Sequence, residues 1–313
     1  MNRIGVLYGM EESFPPALVE RINQLVAERD LPDLRAESLK VGAVRMAEAS
    51  GYRVIIDRIS QDVPFYRAFL KNAVLSGCTV LNNPFWWSAD DKFFNYALAS
   101  RLGIATPRTA LLPHKDHPPD TTARSMRNLT YPLDWDGLFA YIGFPAFLKP
   151  HAGGGWKSVY KVESPEDVFR AYDETGILCM TLQEGIDFQE YYRCYVIGQQ
   201  KVRLMRYDPL QPHHLRYVEG NPQPNPELAA RITADCLTLC QALGYDINTV
   251  EFAVKDGVPY AIDFLNPAPD AARESVGEEN FAWVVDAVAE LAIDKAMQPV
   301  TIPDYRWQRI LEG

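Results

Sequence analysis

The chain has 313 residues, 47% of them hydrophobic, enough for a substantial core spread over two or three lobes. Its formal charge of −10 argues against a protein that neutralises nucleic-acid phosphates over a broad surface, though not against local basic pockets. No apolar run approaches the roughly 20 residues that span a bilayer, so neither nucleic acid nor membrane is an expected partner. The opening MNRIGVLYGMEESF lacks the apolar core and cleavage site of a signal peptide. The five cysteines (Cys78, Cys179, Cys194, Cys236, Cys240) are odd in number and include no Cys-x-x-Cys pair, which fits small buried side chains in a reduced, cytoplasmic protein.

In chain order, RIGVLYG (3–9) reads as a strand and PALVERINQLVAER (16–29) as an amphipathic helix. The segment 36–52 can continue as a second helix up to Gly51. RVIIDRI (53–59) reads as a buried strand, YRAFLKNAVLSG (66–77) as a helix stopped by glycine, and CTVLNN (78–83) as a third strand. This alternation predicts a parallel sheet with crossover helices. A further helix is expected over 88–103, with Ser88 as N-cap and Gly103 as its stop. Residues 113–135, rich in Pro, His, Asp, Thr and Arg, form either a functional insertion or a mobile loop. FPAFLKP (144–150) and KSVYKV (157–162) predict strands on either side of a glycine turn, followed by a helix over 164–174. Segments 178–186, 192–198, 201–207 and 215–219 predict an antiparallel meander. A helix over 226–244 then leads to a hairpin over 249–266, with an Asp-Gly turn at 255–257.

Four stretches carry chemistry. In KPHAGGGWKSV (149–159), Lys149 ends a strand and Gly153, Gly154 and Gly155 follow. Such glycines let backbone approach an anion while the lysine supplies a point charge. The order is not that of a Walker A loop, and a plain hairpin turn also explains it. In LQEGIDFQEYYRCYVIG (182–198), the backbone around Gln183, Glu184, Gly185 and Ile186 could pair with an adenine edge, and a carboxylate beyond it with ribose hydroxyls; an ordinary polar connection is the alternative. Arg203 and Arg206 lie three apart on one strand and point to opposite faces, so at most one shares a cleft with Arg193. Last, Glu251, Asp263 and Asn266 could converge at one end of the 249–266 hairpin as hard oxygen ligands for Mg²⁺ or Mn²⁺. An Asp and an Asn before proline also simply end strands.

Taken in order, these stretches resemble the ATP-grasp superfamily, and are similar to glutathione synthetase and RimK-type ligases. The likeness runs over about residues 80–295. LNNPFWWSADDKFFNYALASRLGIATPRTALLP (81–113) carries a phosphate-reaching lysine, here Lys92; PAFLKPHAGGGWKSVYKV (145–162) carries the second, Lys149, and the glycine loop over ATP. LQEGI (182–186) resembles the adenine hinge, and EYYRCYVIG (190–198) is similar to the segment that supplies an arginine, here Arg193, with Arg206 as its companion one strand on. TVEFAV (249–254) and YAIDFLNP (260–267) resemble the two magnesium-binding strands.

The resemblance implies an α/β protein: an N-terminal parallel domain (1–106), a small central lobe (107–181) and a C-terminal lobe with the metal site (182–313), the last two α+β and clamping ATP. It implies an ATP-dependent carboxylate–amine ligase working through an acyl phosphate, with ATP and Mg²⁺ (or Mn²⁺) as cofactors. Lys92, Lys149, Gly153–Gly155, Gln183–Ile186 and Glu190 would bind ATP, Arg193 and Arg206 would steady the transferred group, and Glu251, Asp263 and Asn266 would hold metal. One departure stands out: the usual carboxylate-x-Asn is here Asp263-x-x-Asn266, so a β-bulge must restore convergence or one residue is not a ligand. Loops at the carboxyl ends of the first parallel strands place Arg58 for a carboxylate and Glu11 or Glu12 for an amine, suggesting amino-acid- or peptide-like substrates. His151, beside the glycine loop, is a further candidate, whereas His213 and His214 lack a partner at ligand spacing. A non-catalytic nucleotide-binding protein of this fold and a phosphotransferase that stops at a phosphorylated product are the alternatives, and a homodimer is left open.

Overall fold

A computed structural model describes residues 2–86, 91–153, 157–212 and 215–299. Three four-stranded sheets organise them. The first contains β1 (Asn2–Leu7), β2 (Leu34–Ser38), β3 (Val54–Asp57) and β4 (Thr79–Leu81), in the order β2-β1-β3-β4 and all parallel. The helices α1 (Phe14–Glu28) and α2 (Pro64–Leu75) each carry proline in the first turn (Pro15 and Pro64), where its fixed φ is preorganised for the helix, and pack on opposite faces of this sheet. The second helix expected over 36–52 is absent. Leu34 and Ala36 alternate with more exposed neighbours, so this stretch joins β1 as an edge strand.

The central sheet takes β5 (Thr109–Leu112), β6 (Ala146–Pro150), β7 (Tyr160–Val162) and β8 (Met180–Glu184) in the antiparallel order β5-β8-β6-β7. The helices α4 (Trp135–Ile142) and α5 (Pro165–Asp173) close its core around Leu112, Leu148 and Leu182. The 113–135 segment runs over this lobe: Asp116 N–H bonds the Gly176 carbonyl (2.9 Å), and Lys115 pairs with Asp173 of α5.

The third sheet has the order β10-β9-β11-β12, built from β9 (Glu190–Ile197), β10 (Lys201–Arg206), β11 (Ile247–Lys255) and β12 (Val258–Asp263). The expected meander is therefore split. β8 belongs to the central sheet, Gly185 ends it where a Cβ would stand 2.7 Å from the Pro145 carbonyl oxygen, and 215–219 forms only a bridge between Tyr207 and Tyr217. In the hairpin turn, Asp256 and Gly257 both have positive φ (51° and 74°), the signature of a type I′ turn.

Two helices join the lobes. One is α3 (Lys92–Arg101), whose Tyr96 and Ala99 pack into the core between the third sheet and α6 (Pro226–Leu243). The other is α8 (Glu278–Met297), which follows the short α7 (Arg273–Val276) and buries Phe281, Val284 and Val288 in a core shared with the first sheet, Tyr195 and Ile197. The expected boundary after residue 106 thus leaves α3 sequence-contiguous with the first lobe while its side chains pack in the third, and the boundary after 181 falls inside β8. All five cysteines are free. Among the described residues no helix is long and apolar enough to cross a membrane.

Candidate active site at the junction of three lobes

Lys92 opens α3. Asp91 caps that helix, its side chain accepting from the Phe94 N–H (2.9 Å), while the expected cap Ser88 lies outside the described residues. The Lys92 N–H donates to the His151 carbonyl (2.9 Å), one residue beyond β6, which pins the helix start to the strand carrying Lys149. The Lys149 ammonium donates to the Tyr96 hydroxyl and to Gln183 Oε1, each at 2.8 Å, and lies 5.0 Å from the Tyr96 ring centroid. Burial pushes Lys149 down to about 8, against the opposing pull of Asp263 and Glu251.

The acidic half is a single row across the third sheet. Arg193 on β9 is register partner to Glu251 on β11, which is partner to Asp263 on β12. Beyond Glu251 the register shifts: Phe252 pairs with Ala261, so Ile262 is an extra residue and forms a β-bulge. The expected bulge therefore exists but precedes Asp263 rather than following it, and it sets Asp263 opposite Glu251. Asn266 comes beside the same row by another route. Its N–H is held by Asn248 Oδ1 (2.9 Å) and its Nδ2 donates to the Thr249 carbonyl (3.2 Å), which leaves Oδ1 as the amide atom for a cation.

Charges balance within this cluster. Lys92 Nζ lies 3.5 Å from Asp263 and Arg193 lies 3.4 Å from Glu251, whose other oxygen accepts from the Tyr191 hydroxyl (2.6 Å). Withdrawal from water works to raise the Asp263 carboxyl, but Lys92, Lys149 and Arg193 outweigh it and hold it below its ordinary value. The side chain keeps 39% exposure, so the carboxylate is open to a ligand. Two carboxylates and an amide oxygen are hard donors that suit Mg²⁺ shared with phosphates. Among the described residues no group of three or more His, Cys, Asp and Glu side chains could hold a metal ion.

Other expected residues fall elsewhere. Arg206 is register partner to Tyr192, so it faces the opposite side of the sheet from Arg193, where it pairs with Glu190 and meets the Tyr192 hydroxyl (2.9 Å). Arg203 shares the face of Arg193 but is held by Asn280 (2.6 Å) and Glu279 (2.7 Å) of α8. Arg206 and Glu190, expected to reach the transferred group and ATP, thus pair with each other on the sheet face away from the Arg193–Glu251–Asp263 row. Gln183 is buried and spent on Lys149 and Thr109, so its side chain positions the lysine. Glu184 is clamped by Arg108 through two bonds of 3.0 Å, and Gly185 N–H by the Pro145 carbonyl (2.9 Å). Ile186 packs against the cluster of Tyr191, Tyr207 and Ala253. Gly153 has φ +85° with open space around it; Gly154, Gly155, His213 and His214 lie outside the described residues.

Arg58 and Glu11, expected to bind substrate, bind each other. Arg58 is 3% exposed, donates to Glu11 (2.9 Å for Nε) and to the Pro269 carbonyl (2.7 Å), and covers the Phe14 ring. The pair fastens the first lobe to the loop after β12. Glu12 is exposed. Glu11→Gln is expected to cost about 2 kcal/mol of stability, because it leaves a buried guanidinium half-paired. Urea denaturation measures this; an unchanged midpoint would return Arg58 to the list of groups free for substrate.

Known proteins place the architecture. No family model matches the chain. Among curated proteins, mitochondrial pyruvate carboxylase of Rattus norvegicus is 30% identical over 137 residues, 39% of this chain and 12% of that protein. Biotin carboxylase 2 of Bacillus subtilis is 29% identical over 128 residues, 36% of this chain and 29% of that one. The chain thus matches less than a third of these relatives' length. Solved structures align nearly throughout: the D-alanine–D-alanine ligase of Bacillus anthracis complexed with ATP, with TM-score 0.65, 17% identity and 100% of both chains covered. The ATP-grasp ligase PsnB, complexed with minimal precursor, Mg and ADP, gives 0.62 at 14% identity over 94% of this chain and 98% of that one. A RimK domain ATP-grasp protein from Sphaerobacter thermophilus gives 0.64 at 16% over 95% and 100%.

This is the ATP-grasp fold.

Within the ATP-grasp frame, several site residues were missed by sequence reasoning. Tyr96 accepts from Lys149 and donates to the Ile262 carbonyl (2.5 Å), so one phenol joins the lysine to the bulge that orients Asp263. Its place four residues after Lys92, on the same helical face, was the available signal. Asn248, wholly buried, holds the chain after β12 through Asn266 N–H and the Phe264 carbonyl (2.8 Å). Nothing in a lone Asn within a strand pattern foretells that role.

Proposed function

We propose that the protein is an ATP-dependent ligase that activates a substrate carboxylate as an acyl phosphate and joins it to an amine, with amino-acid- or peptide-like substrates. The supporting observation is the convergence of Lys92, Lys149 and the Arg193–Glu251–Asp263 row, contributed by α3, the central sheet and the third sheet. Two cations and a partly open carboxylate pair suit a polyphosphate bound with a divalent ion. The D-alanine ligase complexed with ATP and PsnB complexed with Mg and ADP support that ligand, and the PsnB precursor supports a peptide-like substrate.

In this reading Lys92 and Lys149 hold ATP phosphates, with Tyr96 and Gln183 aiming Lys149. Glu251, Asp263 and Asn266 would hold Mg²⁺, which supplies charge neutralisation and a template for the phosphates. A carboxylate oxygen attacks the γ-phosphorus and ADP departs with the bridging oxygen. The amine nitrogen then attacks the acyl carbon, inorganic phosphate departs and the amine proton passes to solvent. Arg193 neutralises oxyanion charge, so the protein contributes positioning and electrostatics rather than covalent chemistry.

Hydroxylamine tests this without knowledge of the amine, because it converts an acyl phosphate into a stable hydroxamate. With Mg·ATP, hydroxylamine and a panel of amino acids and short peptides, ADP and hydroxamate should form together for the true carboxylate. Failure of the protein to bind ATP in a Mg²⁺-dependent way would end the ligase reading.

A further inference from the structure

Two buried donors beside the carboxylate row lack an acceptor. Arg193 directs one terminal nitrogen to Glu251 (3.4 Å) and the other to Thr249 Oγ1 (3.5 Å), but its Nε–H has no hydrogen-bond partner. The Tyr217 hydroxyl, equally withdrawn from solvent, has none. Both groups stand against Tyr207: the guanidinium carbon is 5.6 Å from its ring centroid, and the Tyr217 ring meets it edge-on at 5.1 Å. The bridge between Tyr207 and Tyr217 fixes that wall, and the Tyr207 N–H anchors it to the Tyr191 carbonyl (3.0 Å).

A buried donor left unpaired costs about 1–3 kcal/mol, and folded proteins carry few of them without a reason. Neighbouring acceptors are already engaged. Glu251 takes Arg193 and Tyr191, and the Asp270 carbonyl takes the Tyr195 hydroxyl. What is missing is an acceptor, and the guanidinium favours one that is negatively charged. Position agrees: the lysines cluster at the Asp263 end of the row, Glu251 lies in the middle, and Arg193 marks the opposite end. We propose that Arg193 Nε–H and the Tyr217 hydroxyl form a two-donor seat for an oxyanion of the reacting group, either the substrate carboxylate or the transferred phosphoryl. Burial keeps the Tyr217 phenol protonated and hence a donor. This seat rests on the ligase reading and adds Tyr217 to it.

The test follows the Arg193 Nε–H by ¹⁵N–¹H NMR, its signal assigned by loss in Arg193→Lys. Inorganic phosphate is titrated into protein loaded with Mg²⁺ and ADP, and acetate into protein loaded with Mg²⁺ and a non-hydrolysable ATP analogue. A saturable downfield shift is expected with at least one anion. The phosphate arm alone assigns the seat to the phosphoryl group, the acetate arm alone to the carboxylate, and both to a shared position. Tyr217→Phe should weaken the effective anion about tenfold or more, as for a lost hydrogen bond to a charged group. Its melting temperature should hold or rise, since the hydroxyl has no partner to lose. A silent Arg193 signal in both arms overturns the seat, as does wild-type anion affinity in Tyr217→Phe, the result a resident water would give. So does a marked loss of melting temperature in that variant. If Mg·ADP itself fails to bind, the ligase reading falls together with the seat; if it binds and the anions do not, only the seat falls.

Discussion

Asp263→Asn is expected to abolish the Mg²⁺ dependence of ATP binding and to lower Mg·ATP affinity at least a hundredfold. Loss of a partner that merely supports a metal ligand costs about 10–100-fold, and a direct ligand should cost more. The substitution keeps shape, so the bulge at Ile262 and the Tyr96 bond to its carbonyl should survive. The fold should also survive: a carboxylate that retains 39% exposure is screened by solvent, and its ion pair with Lys92 is worth under about 1 kcal/mol. Calorimetric titration of ATP with and without Mg²⁺, beside a melting curve, separates the two effects. Retained Mg²⁺ dependence would remove Asp263 from the metal site and leave the row without its cation.

The second large effect is on pH. Burial sets Lys149 at about 8 in the free protein, so the side chain is an ammonium below that pH and a neutral amine above it. Phosphate binding needs the ammonium, and ATP affinity should therefore fall as pH rises past 8, by up to about tenfold per unit. Lys149→Met should show a flat profile above pH 8 and at pH 7 bind about 10–100-fold more weakly, as expected for a charge-assisted contact. Unfolding cannot mimic this. A lysine whose folded value is depressed binds more protons when unfolded, so between about 8 and its ordinary 10.5 this group's contribution to stability rises with pH. Affinity and stability are thus expected to move in opposite directions across one window. A wild-type affinity that stays level from pH 7.5 to pH 9.5 would show that Lys149 does not hold the phosphates.

Arg203 and Arg206 show where sequence reasoning stops. Strand periodicity correctly requires them to face opposite sides, but periodicity has no origin. Only the pairing of Arg206 with Tyr192, and of Arg193 with Met205, decides which side is which. That pairing turns Arg206 toward Glu190 and leaves Arg193 alone at its end of the row. Arg58 and Glu11 make the same point at longer range. Each reads as a loop charge free for substrate, yet the fold brings residues 47 apart into one buried pair.

The sequence by itself determined the elements that are local in character. Helices with a clear apolar periodicity, the Asp-Gly hairpin, and the lysine and carboxylate segments could be read because their signals lie within a few residues of each other, whereas the helix expected over 36–52 could not. The extra residue near Asp263 was also visible, and with it the need for a bulge. Tertiary structure alone decided the rest. The bulge sits at Ile262, ahead of Asp263, because β11 fixes the register against which the surplus residue is counted. β8 left its sequence neighbours to pair with β5 and β6. Tyr96 and Asn248 entered the site through contacts made across lobes or between distant strands and loops. Such contacts depend on which faces meet when the lobes pack, and no local spacing encodes that.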